Sequence, residues 1–319
     1  MSHENSLVVV GATNWDMFTY CDEMPKPGET VKGSDFKVAF GGKAANQAVQ
    51  AARLGSSVSI VTKIGDDLSG KKMLENFKNQ NVNTLNVSVE GNDIPSGCAT
   101  IIVDKHGENK IIIVGGTNSL LSKVDIDNAK DTIKQSNFVV CQLEVQLETT
   151  LAALKLAKQC NRPKTILNAA PFTKDPILSN EILQYVDILI VNEIEVFSLS
   201  GVNPENQDSN DIDNLYRISS NLLEKFAKIQ HLIITVGSKG QVLVSREFGN
   251  HFIPITGEKV KVVDTTGAGD SFIGSFAHYL NQDPQKSYIE AIKKASKVAT
   301  LSVQKHGAQP SYPSKEDLN

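Results

Sequence analysis

The residues best suited to chemistry stand together near the C-terminal end, in Asp264-Thr265-Thr266-Gly267-Ala268-Gly269-Asp270-Ser271-Phe272. The apolar pair Val262-Val263 reads as a short strand, the glycines mark a turn, and Phe272, Ile273, Phe276 and Tyr279 predict a helix headed by Asp270. Gly267 and Gly269 permit steep or positive-φ backbone and close approach of a ligand to the main chain. A helix start adds unpaired N–H groups and a partial positive charge, which together hold phosphate. A carboxylate in such an anion hole repels phosphate unless it takes a proton from the group attacking phosphorus, as phosphoryl transfer requires. Asp270 as a plain helix cap fits the same letters. Two other nucleotide motifs do not. A Walker A loop needs GxxxxGK[ST], but Gly42-Lys43 is followed by Ala44 and Lys37 replaces the first glycine; a GxGxxG fingerprint fails because Phe272 stands third after Gly269.

A second group lies in Gly41-Gly42-Lys43-Ala44-Ala45-Asn46-Gln47, which opens a helix with Ala45, Ala48, Val49 and Ala52 on one face and Gly55 closing it. Lys43 in the first turn opposes the helix dipole, so its position points to a ligand rather than to stability. A third follows the strand Leu7-Val8-Val9-Val10-Gly11, where Asn14 and Asp16 sit two apart in an extended segment. Such a pair suits neighbouring sugar hydroxyls, and an Asx turn fits it equally. Further polar groups recur where predicted strands end: Glu144 after Phe138-Val139-Val140-Cys141, Asn192 and Glu195 after Ile188-Leu189-Ile190-Val191, and Gly237 to Gly240 after Ile233-Ile234-Thr235-Val236. Ligands of open α/β sheets bind beyond the carboxyl ends of strands.

The elements that must position these groups alternate between strand and helix, which predicts a doubly wound, mainly parallel α/β sheet. Two stretches break the alternation. Residues 17–40 are rich in extended, non-helical sequence, and 97–114 read as a hairpin around Lys105-His106-Gly107-Glu108-Asn109. They predict a small discontinuous β-sheet standing off the main one as a lid, inserted from about 17–40 and 97–114 into a single domain spanning 1–319. The polar, acidic stretch 203–214 reads as a loop rather than a domain boundary. With 319 residues and a net charge of −4, the chain has material for one large core and no field that would draw nucleic acid or an anionic membrane. Cys21, Cys98, Cys141 and Cys160 form no CxxC pair and read as free thiols of a reducing compartment. The start, MSHENS, lacks a cationic n-region, and no apolar run approaches the ~20 residues of a membrane span. A cytoplasmic location is expected, with the nucleus also open to it.

Taken together, Gly41 to Ala48 and Asp264 to Phe272 resemble the two signatures of the PfkB carbohydrate kinases. The similarity covers almost the whole chain, including Asn14-Trp15-Asp16, Gln142-Leu143-Glu144, Asn192-Glu193-Ile194-Glu195, Thr235 to Gly240, and the tail His306-Gly307-Ala308-Gln309-Pro310-Ser311-Tyr312-Pro313. The resemblance implies a ribokinase-like fold and ATP-dependent phosphorylation of D-ribose at O5; another sugar or a nucleoside as acceptor is the alternative within the family, and a non-catalytic sugar or nucleotide sensor the alternative outside it. It implies that Asn14, Asp16, Gly42, Lys43, Asn46 and Glu144 contact the sugar, with Asp270 as base and Gly267, Ala268 and Gly269 as the anion hole. Asn192, Thr235, Val236, Gly237, Ser238, Lys239, Gly240, Gly269 and Ser296 would border ATP, and Asn192 with Glu195 would match an NxxE motif tied to Mg2+. A monovalent cation such as K+ would sit at Asp264, Thr266, Ser302, Lys305, Gly307 and Ser311, several through carbonyls. A homodimer through the lid is implied too. Ala44 departs from the family pattern, where glycine is usual.

Overall fold

The protein was analysed as a computed structural model that describes residues 6–91, 93–203, 207–208, 211–254, 260–282 and 287–318. The chain runs from β1 (Ser6–Val10) into β2 (Asn14–Cys21) and β3 (Gly33–Gly41), then through α1 (Lys43–Arg53), β4 (Ser57–Gly65), α2 (Leu68–Asn79), β5 (Val82–Asn83) and β6 (Val87–Glu90). A hairpin, β7 (Cys98–Val103) and β8 (Asn109–Val114), precedes α3 (Lys123–Asn128), α4 (Lys130–Gln135), β9 (Phe138–Cys141), α5 (Leu147–Gln159) and β10 (Lys164–Asn168). There follow α6 (Pro176–Asn180), β11 (Ile188–Asn192), α7 (Glu193–Ser200), α8 (Ile212–Lys225), β12 (His231–Thr235), β13 (Gly240–Ser245), β14 (Gly249–Pro254), α9 (Ala268–Gln282) and α10 (Tyr288–Ser302).

Alternate residues of a strand face opposite sides of its sheet, and a sheet covered on both faces needs apolar side chains at every position. In β1, Leu7 and Val9 pack with Ala48 and Val49 of α1, Phe272 and Phe276 of α9 and Ile292 of α10; Val8 and Val10 pack with Ile126, Ile133 and Leu154 from α3, α4 and α5. In β11, Ile188 and Ile190 go to the first core while Leu189 and Val191 go to the second. The main sheet has the order β14-β13-β12-β11-β10-β9-β1-β4-β5, with β6 also on β4. It is parallel from β12 to β5. The chain winds from β1 to β4 on one side and to β9 on the other, so the order reverses at β1, where ligand crevices of such sheets form.

The second sheet, β3-β2-β7-β8, is built from the two stretches that broke the alternation, joined by a parallel pairing of β2 with β7 in which Trp15 faces Cys98 and Tyr20 faces Val103. Its two edge strands carry exposed apolar side chains: Phe36 and Val38 on β3, and Ile111, Ile112, Ile113 and Val114 on β8.

Several sequence expectations are corrected. Val262 and Val263 form no strand: both side chains are exposed, and the N–H groups of Val263 and Asp264 go to the Val303 carbonyl just beyond α10 rather than to a ladder. The helix after them starts at Ala268, placing Asp270 inside its first turn. Thr30-Val31 lie before β3, not in a strand. The sheet ends in an antiparallel pair, β13 and β14, which the sequence reading lacked. Within 203–214, residues 204–206 and 209–210 lie outside the described residues, as do residues 1–5 of the polar start, and α8 already begins at Ile212. The four cysteines are unpaired, and among the described residues no helix is long and apolar enough to cross a membrane.

Candidate active site

Helices α1 and α9 cross behind the sheet edge, and the close approach centres on Gly274, where a Cβ would lie 2.5 Å from the Gln47 carbonyl. That crossing buries Asp270, which is 8% exposed. Its Oδ2 accepts from Asn46 Nδ2 at 2.9 Å and its Oδ1 from Gln47 Nε2 at 2.9 Å. An ionised carboxylate has no hydrogen to give, so it sets the direction of everything attached to it. Asn46 must turn its nitrogen inward, leaving Oδ1 to accept from Gln309 Nε2 at 3.1 Å, and Gln309 in turn accepts from Asn76 Nδ2 at 2.9 Å. Gln47 likewise leaves Oε1 to accept from Gln142 Nε2 at 2.6 Å, and its nitrogen also reaches Asn168 Oδ1 at 3.3 Å. Two chains of amides thus donate toward one carboxylate.

The turn before α9 is held from the other side by the C-terminal segment. Gly267 has φ +74°, and a Cβ there would lie 2.6 Å from both Ala308 Cβ and Tyr312 Oη, while Tyr312 Oη donates to its carbonyl at 3.0 Å. Glycine is required here on both counts. Gly269 differs: no atom lies within 4 Å of where its Cβ would be, so its backbone faces open space. The Ala268 N–H is spent on the Thr265 carbonyl and the Ser271 N–H on Gly267. The N–H groups of Gly267, Gly269 and Asp270 have no partner among the described residues, so Ala268 drops out of the expected anion hole and the Asp270 N–H joins it.

On the near side, β2 places Asn14 and Asp16 on one face. Asp16 fits because residue 41 is glycine, whose Cβ would otherwise lie 2.0 Å from Asp16 Oδ2. Glu144, at the end of β9, accepts the Lys43 N–H at 2.8 Å and so fastens the start of α1 to the sheet. Burial, with the Glu144 charge added, pushes the Asp16 carboxyl up to about 7. Burial also raises Glu144 against the pull of Lys43, and raises Glu195 against the Asn192 N–H. For the Lys43 ammonium, burial alone would lower the pKa, but Asp270, Glu144 and Glu195 outweigh it and leave it above its ordinary value. One cation thus serves three carboxylates.

A cleft of about 170 Å³ is lined by Lys43, Asn192, Glu195, Thr235, Gly269 and Asp270, among others, while Asn14, Asp16 and Glu144 lie off its wall. Asn192 and Glu195 cap α7 reciprocally: Glu195 Oε2 accepts the Asn192 N–H and Asn192 Oδ1 accepts the Glu195 N–H, each at 2.8 Å. Of the predicted Thr235 to Gly240 segment only Thr235 reaches the cleft wall. Val236 and Gly240 are buried, and Gly237, Ser238 and Lys239 form an exposed single turn leading into β13. Ser296 is buried on α10 with its hydroxyl donated to Gln241 and is not on that wall. Asn46 is turned onto Asp270 rather than left free for a sugar. A larger cavity of about 760 Å³ beside α6 and the end of α7 contains none of the predicted residues.

The predicted cation loop is drawn together. Asp264 Oδ1 accepts the Thr266 N–H at 2.9 Å and Oδ2 the Gly307 N–H at 2.8 Å. Burial works to raise this carboxyl, but those two N–H groups and nearby His306 prevail and hold it below the usual range. Ser302 gives its carbonyl to the Lys305 N–H, and the Ser311 hydroxyl donates to the Ala308 carbonyl.

Sequence reasoning missed Gln47, Gln309, Asn168 and Gln142 as support for Asp270. The adjacent amides Asn46-Gln47 were the available signal, since neighbours on one helix turn that both face inward need a common polar partner.

The sequence pattern of the pfkB family carbohydrate kinases matches residues 4–315. The chain is 53% identical over 320 residues to the ribokinase of Dictyostelium discoideum, covering 99% of this chain and 100% of the relative. It is 38% identical to the ribokinase of Mus musculus, covering 98% and 93%. Its fold superposes on Arabidopsis thaliana ribokinase complexed with ribose and ATP with a TM-score of 0.85 at 29% identity, covering 98% and 97%.

The environment of Asp16 yields a stability prediction. Its carboxyl holds a proton more tightly in the fold than in the unfolded chain, so stability falls as pH rises from 3.8 through about 7. Asp16→Asn has no such proton to lose. At pH 8 it should resist urea by about 1–2 kcal/mol more than the parent, a discounted share of the shift because the side chain is only partly buried. The gap should close near pH 4; equal stability at pH 8 would show that the site does not strain this carboxylate.

Proposed function

The chain belongs to the pfkB family of carbohydrate kinases, and on that footing we propose that it transfers the γ-phosphoryl group of ATP to O5 of D-ribose, giving ribose 5-phosphate and ADP. The observation that carries the reading is the placement of Asp270: a buried carboxylate within the first turn of a 15-residue helix, beside the open backbone of Gly269 and within the field of Lys43. Asn14, Asp16 and Glu144 supply donors and acceptors for a small polyol, with Glu144 close enough to feel the Asp270 charge. O5 attacks the γ-phosphorus as its proton passes to an Asp270 oxygen; the O5–P bond forms while the bond from phosphorus to the ADP oxygen breaks. The N–H groups of Gly269 and Asp270 and the Lys43 ammonium meet the charge on the transferred group.

Among the described residues no three His, Cys, Asp or Glu side chains gather into a metal cage. The Glu195 carboxylate, with one oxygen left over from the cap of α7, and the Asn192 side chain would help hold a Mg2+ ion, which would neutralise phosphate charge. One carboxylate among hydroxyls and carbonyls at Asp264, Thr266, Ser302, Lys305, Gly307 and Ser311 suits a large monovalent ion such as K+, which would stiffen the turn that carries the donors. The small sheet serves as the lid that excludes water from the transfer. Its exposed Phe36, Val38, Ile112 and Val114 share the face turned away from Asp16 and form an apolar surface that a second copy of the chain would cover, giving a homodimer.

Asp270→Asn should lower kcat by about 10²–10⁴, roughly 3–5 kcal/mol of barrier, while ATP still binds in titration calorimetry. More than a tenth of parental kcat would remove Asp270 as the base. A coupled assay offering ribose, 2-deoxyribose, fructose and adenosine should give the highest kcat/KM for ribose; preference for another acceptor moves the protein elsewhere in the family, and sugar-independent or absent turnover favours a sensor. Asp264→Ala should raise the potassium concentration for half-maximal activity about tenfold or more, with ribose KM within about twofold. Unchanged potassium dependence would place the ion elsewhere. Sedimentation velocity at micromolar protein should give a dimer, and a monomer throughout would refute the lid pairing.

A further inference from the structure

The small sheet meets the body of the protein at four roots: before β2, after β3, before β7 and after β8. Three of them converge on one side chain, Asn118, which follows β8 in the turn Gly116–Leu120 and is 2% exposed. Asn118 Oδ1 accepts the Thr13 N–H at 3.0 Å. Its Nδ2 donates to the Thr13 carbonyl at 3.0 Å and to Asn14 Oδ1 at 2.8 Å. At the third root, Gly97 has no side chain to intrude. A Cβ there would lie 2.0 Å from Asn118 Nδ2 and 2.7 Å from Asn14 Oδ1, and its carbonyl accepts the Trp15 N–H at 2.9 Å.

The main chain fixes every direction in this cluster. The Thr13 N–H can only donate, so the Asn118 atom facing it is Oδ1; the Thr13 carbonyl can only accept, so the other atom is Nδ2. The Asn14 atom that accepts from that nitrogen is therefore its oxygen. The remaining Asn14 Nδ2 has no partner among the described residues, and it is absent from the buried unpaired atoms, so it reaches solvent.

We infer that Asn118 is a positioning residue that locks the Asn14 amide with its nitrogen toward the acceptor sugar, making Asn14 a donor there. Asp16, two residues along the same face, is then the acceptor. The pair presents one hydrogen and one lone pair to neighbouring hydroxyls, a pattern that an amide free to flip does not fix. Because Asn118 also ties the foot of β8 to the entry of β2, lid position and donor direction are set by the same bonds. The inference rests on the reading of Asn14 as a sugar contact.

A double-mutant cycle on the full-length protein separates the two. Asn118→Asp keeps the acceptor for the Thr13 N–H but has no hydrogens for Asn14, and it is combined with Asn14→Ala. Each single variant should raise ribose KM about tenfold with ATP KM within about twofold, and the double variant should match Asn14→Ala within about threefold, since one effect passes through the other. Multiplying effects would overturn the inference alone and leave Asn118 a structural residue. Unchanged ribose KM in Asn14→Ala would overturn the sugar contact and the inference with it. Thermal melts accompany each variant; if Asn118→Asp does not fold, Asn118→Ala, which also loses the donor to Asn14, takes its place in the cycle with the same outcomes.

Discussion

A single buried carboxylate governs this structure. Asp270 is sequestered from water with amides rather than a cation in direct contact, and an uncompensated charge in that place would cost several kcal/mol. Its compensation is spread through Asn46, Gln47, Gln309, Gln142 and Asn76, drawn from α1, α2, the loop after β9 and the C-terminal segment. The requirement to orient all these amides toward one point fixes how α1 and α9 cross and where the C-terminal segment lies. Arg53 reinforces the latter, its Nη1 donating to the carbonyls of Gln309 and Tyr312 at 2.6 and 2.8 Å. Asp270 and the loop around Asp264 are therefore two faces of one packed turn, joined through Tyr312 and Gly267.

The opposite wall obeys a different rule. Asp16, Glu144 and Glu195 are all raised by burial, and Glu144 and Glu195 feel the field of Lys43. This wall is poised for a ligand that brings hydrogens, whereas the Asp270 side is already saturated. A polyol supplies hydroxyl donors to the first, and phosphate meets N–H groups at the second. The site thus divides its two substrates by the sign of what each lacks.

Much of this was legible in the sequence. The strand runs, the two glycine turns and the stretches that break the alternation placed the main sheet and the small one, and the residues at strand ends did gather around Asp270. The failures have a common physical source. Val262-Val263 look like a strand by composition, but strands are made by partners, and the partner here is the Val303 carbonyl. Ser296 and Val236 to Gly240 were expected on the nucleotide wall; Gln241 claims the Ser296 hydroxyl, and the turn into β13 carries Gly237, Ser238 and Lys239 outward while Gly240 stays buried. Asn118 and Gln309 were invisible as functional residues because their meaning lies in contacts 105 and 263 positions away along the chain. Local spacing reports which groups are polar and where elements begin; it does not report which distant amide a carboxylate will orient.

The parallel pairing of β2 with β7 has a consequence for how the molecule comes to be folded. The small sheet has no consecutive hairpin linking its two halves: β2–β3 emerges early in the chain, and β7–β8 arrives only after α1, β4, α2, β5 and β6 have been made. Until the roots at Thr13 and Gly97 are brought side by side by the main sheet, neither half has a partner for its inner edge, and the loop between them must be closed first. During synthesis the β2 edge of the β2–β3 ribbon waits unpaired until β7 arrives, the kind of edge that aggregates when it is left to wait. The small sheet is thus completed only after the long connection between its two halves has been closed.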